Sequence, residues 1–99
     1  MKKSVLVRVY YRNPNIEFSD CEFFEEVIHV NSEDPEAAIE AAVDIFFYEM
    51  LTQATKTIKT LDKNLELSHF IFSVGGIEIK KGLLDALGYI KIIWSIGEN

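Results

Sequence analysis

From Ser4 to Arg12 the chain alternates, placing Val5, Val7, Val9 and Tyr11 on one side of an extended backbone and Leu6, Arg8 and Tyr10 on the other. A period of two is the signature of a strand. Asn13-Pro14-Asn15 supplies turn chemistry, the loop runs on through Ser19-Asp20, and a second β-rich run covers Glu22 to Val30. The two runs predict an antiparallel pair joined by a longish loop. Asp34-Pro35 then reads as a helix start: aspartate caps well, proline is pre-set for the first helical position, and it keeps its predecessor out of helical geometry. Ile39, Val43, Phe46, Met50, Ala54, Ile58 and Leu61 recur at steps of three and four, so one stripe of this helix faces a core through about Thr60. Thr52, Thr55, Thr57 and Thr60 are mediocre helix formers, and the last two turns are expected to fray or end early.

Asp62-Lys63-Asn64 breaks the helical pattern, and Leu65 to Val74 resumes a strand with apolar groups on both faces, which predicts a central position in the sheet. Gly75-Gly76 turns the chain back into Ile77 to Lys80, because consecutive glycines supply the positive φ angles of a tight hairpin. Leu83 to Leu87 predicts a short helical segment ended by Gly88, and Tyr89 to Ile96 predicts a last strand. The order β-β-α-β-β-short α-β describes an α+β fold, a mainly antiparallel five-stranded sheet with one long helix on one face. From the second strand onward this order is topologically similar to a ferredoxin-like unit with an extra N-terminal strand, the runner-up architecture, although no residue motif carries that similarity.

Five strands at roughly 4.8 Å spacing make a sheet about 20 to 24 Å wide, and one helix covers only about 10 Å of it. Leu6, Tyr10, Phe23, Val27 and the row Ile90, Ile92, Trp94, Ile96 carry more apolar surface than such a helix hides. A second subunit is the expected covering layer, giving a homodimer or higher oligomer. The competing arrangement folds loop 13–21 and segment 81–88 over the sheet.

The 99 residues suit one domain, and 48% apolar with 26% charged residues places the chain among globular proteins. Arg8 interrupts the apolar run behind Met1-Lys2-Lys3, so no export signal is predicted, and the apolar stretches fall short of a membrane span. Cys21 is the single cysteine, which excludes an internal disulfide and a multi-cysteine zinc site; a reducing, cytoplasmic location is the expectation.

Charge changes the picture more than composition does. The net charge of −6 conceals a segregation: residues 13–55 hold eleven acidic residues and no lysine or arginine. All ten Lys/Arg lie elsewhere, beside Asp62, Glu66, Glu78, Asp85 and Glu98, so the two parts carry −11 and +5. At 100° per residue Glu33, Glu36, Glu40 and Asp44 fall within an arc of about 80°, and Phe47 and Leu51 continue their line. That predicts an acidic strip leading into an apolar patch, a surface suited to a basic protein partner. The ordinary alternative is a solvated helix face whose first acids complement the helix dipole. Such a face repels nucleic acid directly but attracts the basic groove of a protein that binds it, as small acidic inhibitors do.

Evidence for an enzyme is thin. Eight residues of extended chain hold Cys21 and His29 roughly 25 Å apart, and His69 reaches either only through sheet pairing. Cys21 is expected as a small semi-buried hydrophobe and His69 as a strand residue with a satisfied ring. No CxxC, HxxxH or calcium-loop spacing marks a metal site, and Gly75-Gly76 lacks the pattern of a phosphate loop, so neither metal nor cofactor is predicted. Glu25 and Glu26 point to opposite faces and cannot share acid–base work; Arg8 across the first hairpin is the expected partner of one of them. A non-enzymatic interaction module is the leading expectation. The alternative is a small-molecule site between sheet and second subunit, near Tyr10, Phe23, His69 and Trp94.

Overall fold

A computed structural model describes residues 2–17 and 20–86. Strands β1 (Lys2–Arg12) and β2 (Glu22–Asn31) form the expected antiparallel pair, with Val5 opposite Ile28 and Arg8 opposite Glu25. Strand β1 also pairs antiparallel with β3 (Glu66–Val74), and β3 with β4 (Ile77–Gly82), giving the order β2-β1-β3-β4. Strands β2 and β3 both run antiparallel to β1, so they are parallel to each other, and the helix between them crosses over β1. In a ferredoxin-like unit the strand that splits this crossover follows the helix in sequence. Here it precedes the helix, so the runner-up architecture is not the one observed. The described residues form four strands; the fifth, expected at Tyr89 to Ile96, lies outside them, as does Leu87 at the end of the short helical segment. Residues 83–86 make one helical turn.

Alternation in the strands decides which face closes. Val5, Val7 and Val9 are fully buried, together with Phe70 and Phe72 beside them on β3, and Ile28 and Val30 on β2 are nearly so. Phe46 and Phe47 of the helix pack on Phe70 and Phe72 with ring centroids 5.2 to 6.1 Å apart, mostly edge to face. Burying a phenylalanine is worth about 1.5–3 kcal/mol, so these four rings are a principal source of the sheet–helix attachment.

The helix begins as the sequence predicts. Asp34 has extended geometry, its carboxylate accepts from the Ala37 N–H at 3.2 Å, and Pro35 takes the first position of α1 (Pro35–Ile45). One turn of π-helix at Phe46–Met50 then leads into α2 (Leu51–Leu61). On an unbroken α-helix the buried positions of the first part, Ala38, Ile39, Ala42, Val43, Phe46 and Phe47, centre about 100° away from Leu51, Ala54 and Ile58. A π turn accommodates one extra residue, and 100° is the rotation of one residue. The insertion therefore keeps both halves of a drifting apolar stripe facing the sheet. Leu61, expected at the end of that stripe, is exposed. The last turns do not end early: Ala54 and Ile58 are buried, and the hydroxyls of Thr55, Thr57 and Thr60 are bonded to carbonyls of their own helix.

Gly75 and Gly76 have φ of 55° and 82°, the paired positive angles of the predicted hairpin turn. No helix among the described residues is long and apolar enough to cross a membrane.

Candidate interaction surfaces

Three places bring together residues with chemistry to offer. The first is the acidic side of α1. Glu36, Glu40 and Asp44 are exposed along it, and Glu33 is exposed as well, but it precedes the Asp34 cap and so stands before the helix rather than on its stripe. Phe47 and Leu51 are not on this surface. They are 2% and 8% exposed and belong to the core: Phe47 ends the apolar stripe of the first half, packed on Phe70 and Phe72, and the π turn rotates Leu51 towards the sheet. The apolar neighbour of the acidic strip is instead a groove between α1 and β4, about 360 Å³ in volume, lined by Ile39, Val43 and Ile79 with Glu40, Asp44 and Lys81. Carboxylates thus form one rim of an apolar floor, with a single lysine among the lining groups.

The second place is the sheet face turned away from the helix. Alternation sends Leu6, Arg8 and Tyr10 of β1 there, with Phe23, Glu25 and Val27 of β2 directly opposite them. Strand β3 adds His69, Ile71 and Ser73, and β4 adds Glu78 and Lys80. Phe23 is 45% and Val27 52% exposed, although both are large and apolar. Tyr10, Phe23 and His69, expected near one another, do form a row: the Tyr10 and His69 rings stack at 4.3 Å and 10°, and Phe23 lies 5.1 Å from Tyr10. Trp94, the fourth member of that expectation, lies outside the described residues. Ring planes parallel at about one strand spacing must stand upright from the sheet. Their faces are spent on each other, and they present edges outward, a ridge rather than a slot for a flat ligand or a stacking base.

Arg8 ties the row to the sheet edge. Its Nε lies 3.5 Å from Glu25 Oε2, the ion pair expected across the first hairpin, and its guanidinium carbon lies 5.2 Å from the Phe23 ring centre. A hydrogen bond to Tyr10 and the charge of Glu25 hold the Arg8 proton more tightly than usual. Glu26 points to the other face, beside Val7, as the alternation requires.

The third place is a short polar chain that the sequence conceals. Tyr10 pairs with His69 but Tyr11 pairs with Leu67, so Ser68 is an extra residue at a bulge. The bulge aims Ser68 Oγ at His69 Nδ1, 2.9 Å away, and Cys21 Sγ at 3.8 Å donates to the same hydroxyl. Sheet pairing has therefore brought Cys21 to the neighbourhood of His69, and Cys21 is exposed rather than semi-buried. Partial burial pushes the His69 imidazole down from its ordinary pKa, and nearby Lys80 adds to the shift, so the environment favours the neutral ring. A nucleophile site requires an oriented base, oxyanion donors and a cleft. Here the imidazole face is packed on Tyr10, which suits a positioned structural ring. Among the described residues no group of three or more His, Cys, Asp or Glu could hold a metal ion.

Two features escaped the sequence reading yet left a trace in it. In β3 the core-facing residues change from odd Leu67 to even Phe70 and Phe72, the parity slip that a bulge produces. In the helix, Phe46-Phe47 followed by Leu51, Ala54 and Ile58 drifts from a straight stripe, the mark of the π turn.

Comparison of the chain with protein-family models, with curated proteins and with solved structures found no match.

Proposed function

We propose that this protein is a non-enzymatic interaction module whose acidic α1 side engages a basic protein partner. The observation that supports this reading is the placement of Glu36, Glu40 and Asp44 on one exposed side of α1, where Glu40 and Asp44 border an apolar-floored groove. A lysine or arginine side chain has the matching anatomy: its aliphatic stem lies on Ile39, Val43 and Ile79 while its charge meets the carboxylates. Apolar contact supplies a preference for a folded basic surface over a merely cationic one, and charge supplies steering. Basic grooves that hold nucleic acid are the partner class with the strongest complementary field, which makes the protein an inhibitor or regulator of a nucleic-acid-binding protein in the sharpest form of this reading.

The test uses an Arg/Lys-rich peptide of about 15 residues, a length that spans the α1 side. Glu36→Lys, Glu40→Lys and Asp44→Lys together should weaken its binding, measured by fluorescence anisotropy, at least tenfold. Reversal of three other exposed acids, Glu22 and Glu26 on β2 and Glu66 on β3, makes the same change in net charge and should alter binding less than threefold. Equal losses from the two sets would mean that net charge alone governs binding, and the α1 site would be abandoned.

A further inference from the structure

We infer that the open face of the sheet is covered by the same face of a second copy of this chain, related by a two-fold axis parallel to the strands. The face has a mixed anatomy: Leu6, Tyr10 and Ile71 on the two central strands and Phe23 and Val27 on β2 are apolar, Glu25, Glu78 and Lys80 stand on the outer strands, and Arg8, the charge amid the central strands, is paired with Glu25. The strands have eleven, ten, nine and six residues in β1 to β4, and with β2 over β4 and β1 over β3 the two faces overlap by about 490 Å² in flat projection, close to the ~500 Å² per partner at the lower bound of specific interfaces.

Charge selects the second copy and the direction of the axis. One cross-strand row reads Glu25, Arg8, Ile71, Lys80 from β2 to β4, so its acidic end is at one side of the four described strands and its basic end at the other. A two-fold axis along the strands lays β2 over β4 of the second copy and keeps each row over itself. Glu25 then meets Lys80 of the second copy, twice by symmetry, while Arg8 lies over Ile71. The neighbouring row, Phe23, Tyr10, His69, Gly82, responds to the same operation: exposed Phe23 falls over Gly82, where no side chain stands, and Tyr10 falls over His69. Aligned sheets cross at about 30°, which displaces the edge residues by a few ångström, within reach of glutamate and lysine side chains. The perpendicular axis instead lays acidic β2 on acidic β2. The acidic α1 side lies on the opposite face of the sheet and remains free in this dimer, so the assembly stands or falls independently of the proposed partner.

Charge exchange tests it. Within one chain Glu25 and Lys80 are three strands apart, about 14 Å, so each can compensate the other only between copies. Light scattering and sedimentation of the full chain at about 50 µM should give twice the 11.3 kDa chain mass. Glu25→Lys and Lys80→Glu should each weaken dimerisation tenfold or more, and the double variant should return to within about threefold of the parent. A monomeric parent overturns the inference, since the face is then covered within the chain or by another molecule. Masses beyond two copies that grow with concentration overturn it in favour of edge-to-edge association. A dimer in which the double variant is no better than the singles overturns the two-fold arrangement.

Discussion

The two faces of the sheet are made from the same strands and differ at every alternate residue. Towards the helix stand Val5, Val7, Val9, Phe70 and Phe72, all at 0% exposure. Away from it stand Leu6, Arg8, Tyr10, Phe23, Glu25, Val27, His69 and Ile71, apolar in the middle and charged at intervals. The first face is a core, where shape and apolar area decide and no charged residue among those described is buried. The second is too apolar to be an ordinary solvated surface and too charged to be a core, the composition that association surfaces carry. One pleated element thus has a folding task on one side and, on the other, the surface of the association inferred above.

Adjacent residues of β3 separate the two faces most directly. Phe70→Ala removes a ring packed on Phe46 and Phe47 and should cost about 3–5 kcal/mol of stability in urea unfolding. Ile71→Ala, one residue on but on the open face, should cost no more than about 1 kcal/mol at protein concentrations low enough to keep the chain monomeric. Similar losses from the two would mean that both faces are cores within a single chain. A smaller effect concerns how the helix holds its own face to the sheet. Deleting Lys56, between Ala54 and Ile58, rotates Ile58 about 100° out of the core and should cost at least about 2 kcal/mol. Deleting Glu49 from the π turn removes the extra residue itself and should cost distinctly less, because a regular α-helix then keeps the same stripe on the sheet. If Glu49 deletion is the costlier change, the π turn does not serve to correct the stripe.

Legibility in the sequence followed the strength of the local signal. The Val5-Val7-Val9 alternation, the Asp34-Pro35 start and the Gly75-Gly76 turn each have one physical solution, and each appears where it was expected. The two insertions were missed because each displaces a pattern by one residue without abolishing it. Steps of three and four are common to a straight stripe and to one that slips at Phe46–Met50, and a strand such as β3 with apolar groups on both faces hides a change of parity. Those slips decided the sites. The π turn carried Leu51 into the core, where Phe47 already ends the stripe of the first half, so neither continues the acidic strip that was expected to run into them, and the bulge at Ser68 joined Cys21 to His69. The position of β1 between β2 and β3 was out of reach, since strand order depends on contacts far apart in sequence. The acidic strip itself was legible because charge segregation needs no register to be seen, except at Glu33, which the cap at Asp34 leaves outside the helix.

The helix cap should matter less again. Asp34→Ala loses the bond to the Ala37 N–H and should lower stability by about 1 kcal/mol, while leaving any association through the open face unchanged. A change in association equal to that in stability would show that the two faces are coupled.

The smallest effect, and the one specific to the open face, is the pH response of His69. Its imidazole lies on Tyr10 of β1, shares a hydrogen bond with Ser68 and has Lys80 of β4 nearby, so burial and a like charge both resist protonation. The folded pKa is therefore below the ordinary 6.5. As pH falls through 6.5 the unfolded chain takes up this proton first, and stability declines until the folded pKa is passed. Above 6.5 the contribution is fully present. His69→Gln should abolish this component, so the difference in unfolding free energy between parent and variant, measured from pH 8 to pH 5, should be flat above about 7 and shift against the parent below about 6.5. Solvent access to the ring keeps the shift small. Lys80→Glu sharpens the result: replacing a positive neighbour by a negative one raises the folded pKa and should flatten the decline. A decline that Lys80→Glu leaves intact would assign it to burial against Tyr10 alone, and a parent that gains stability on acidification would mean that a carboxylate, not Lys80, governs this end of the open face.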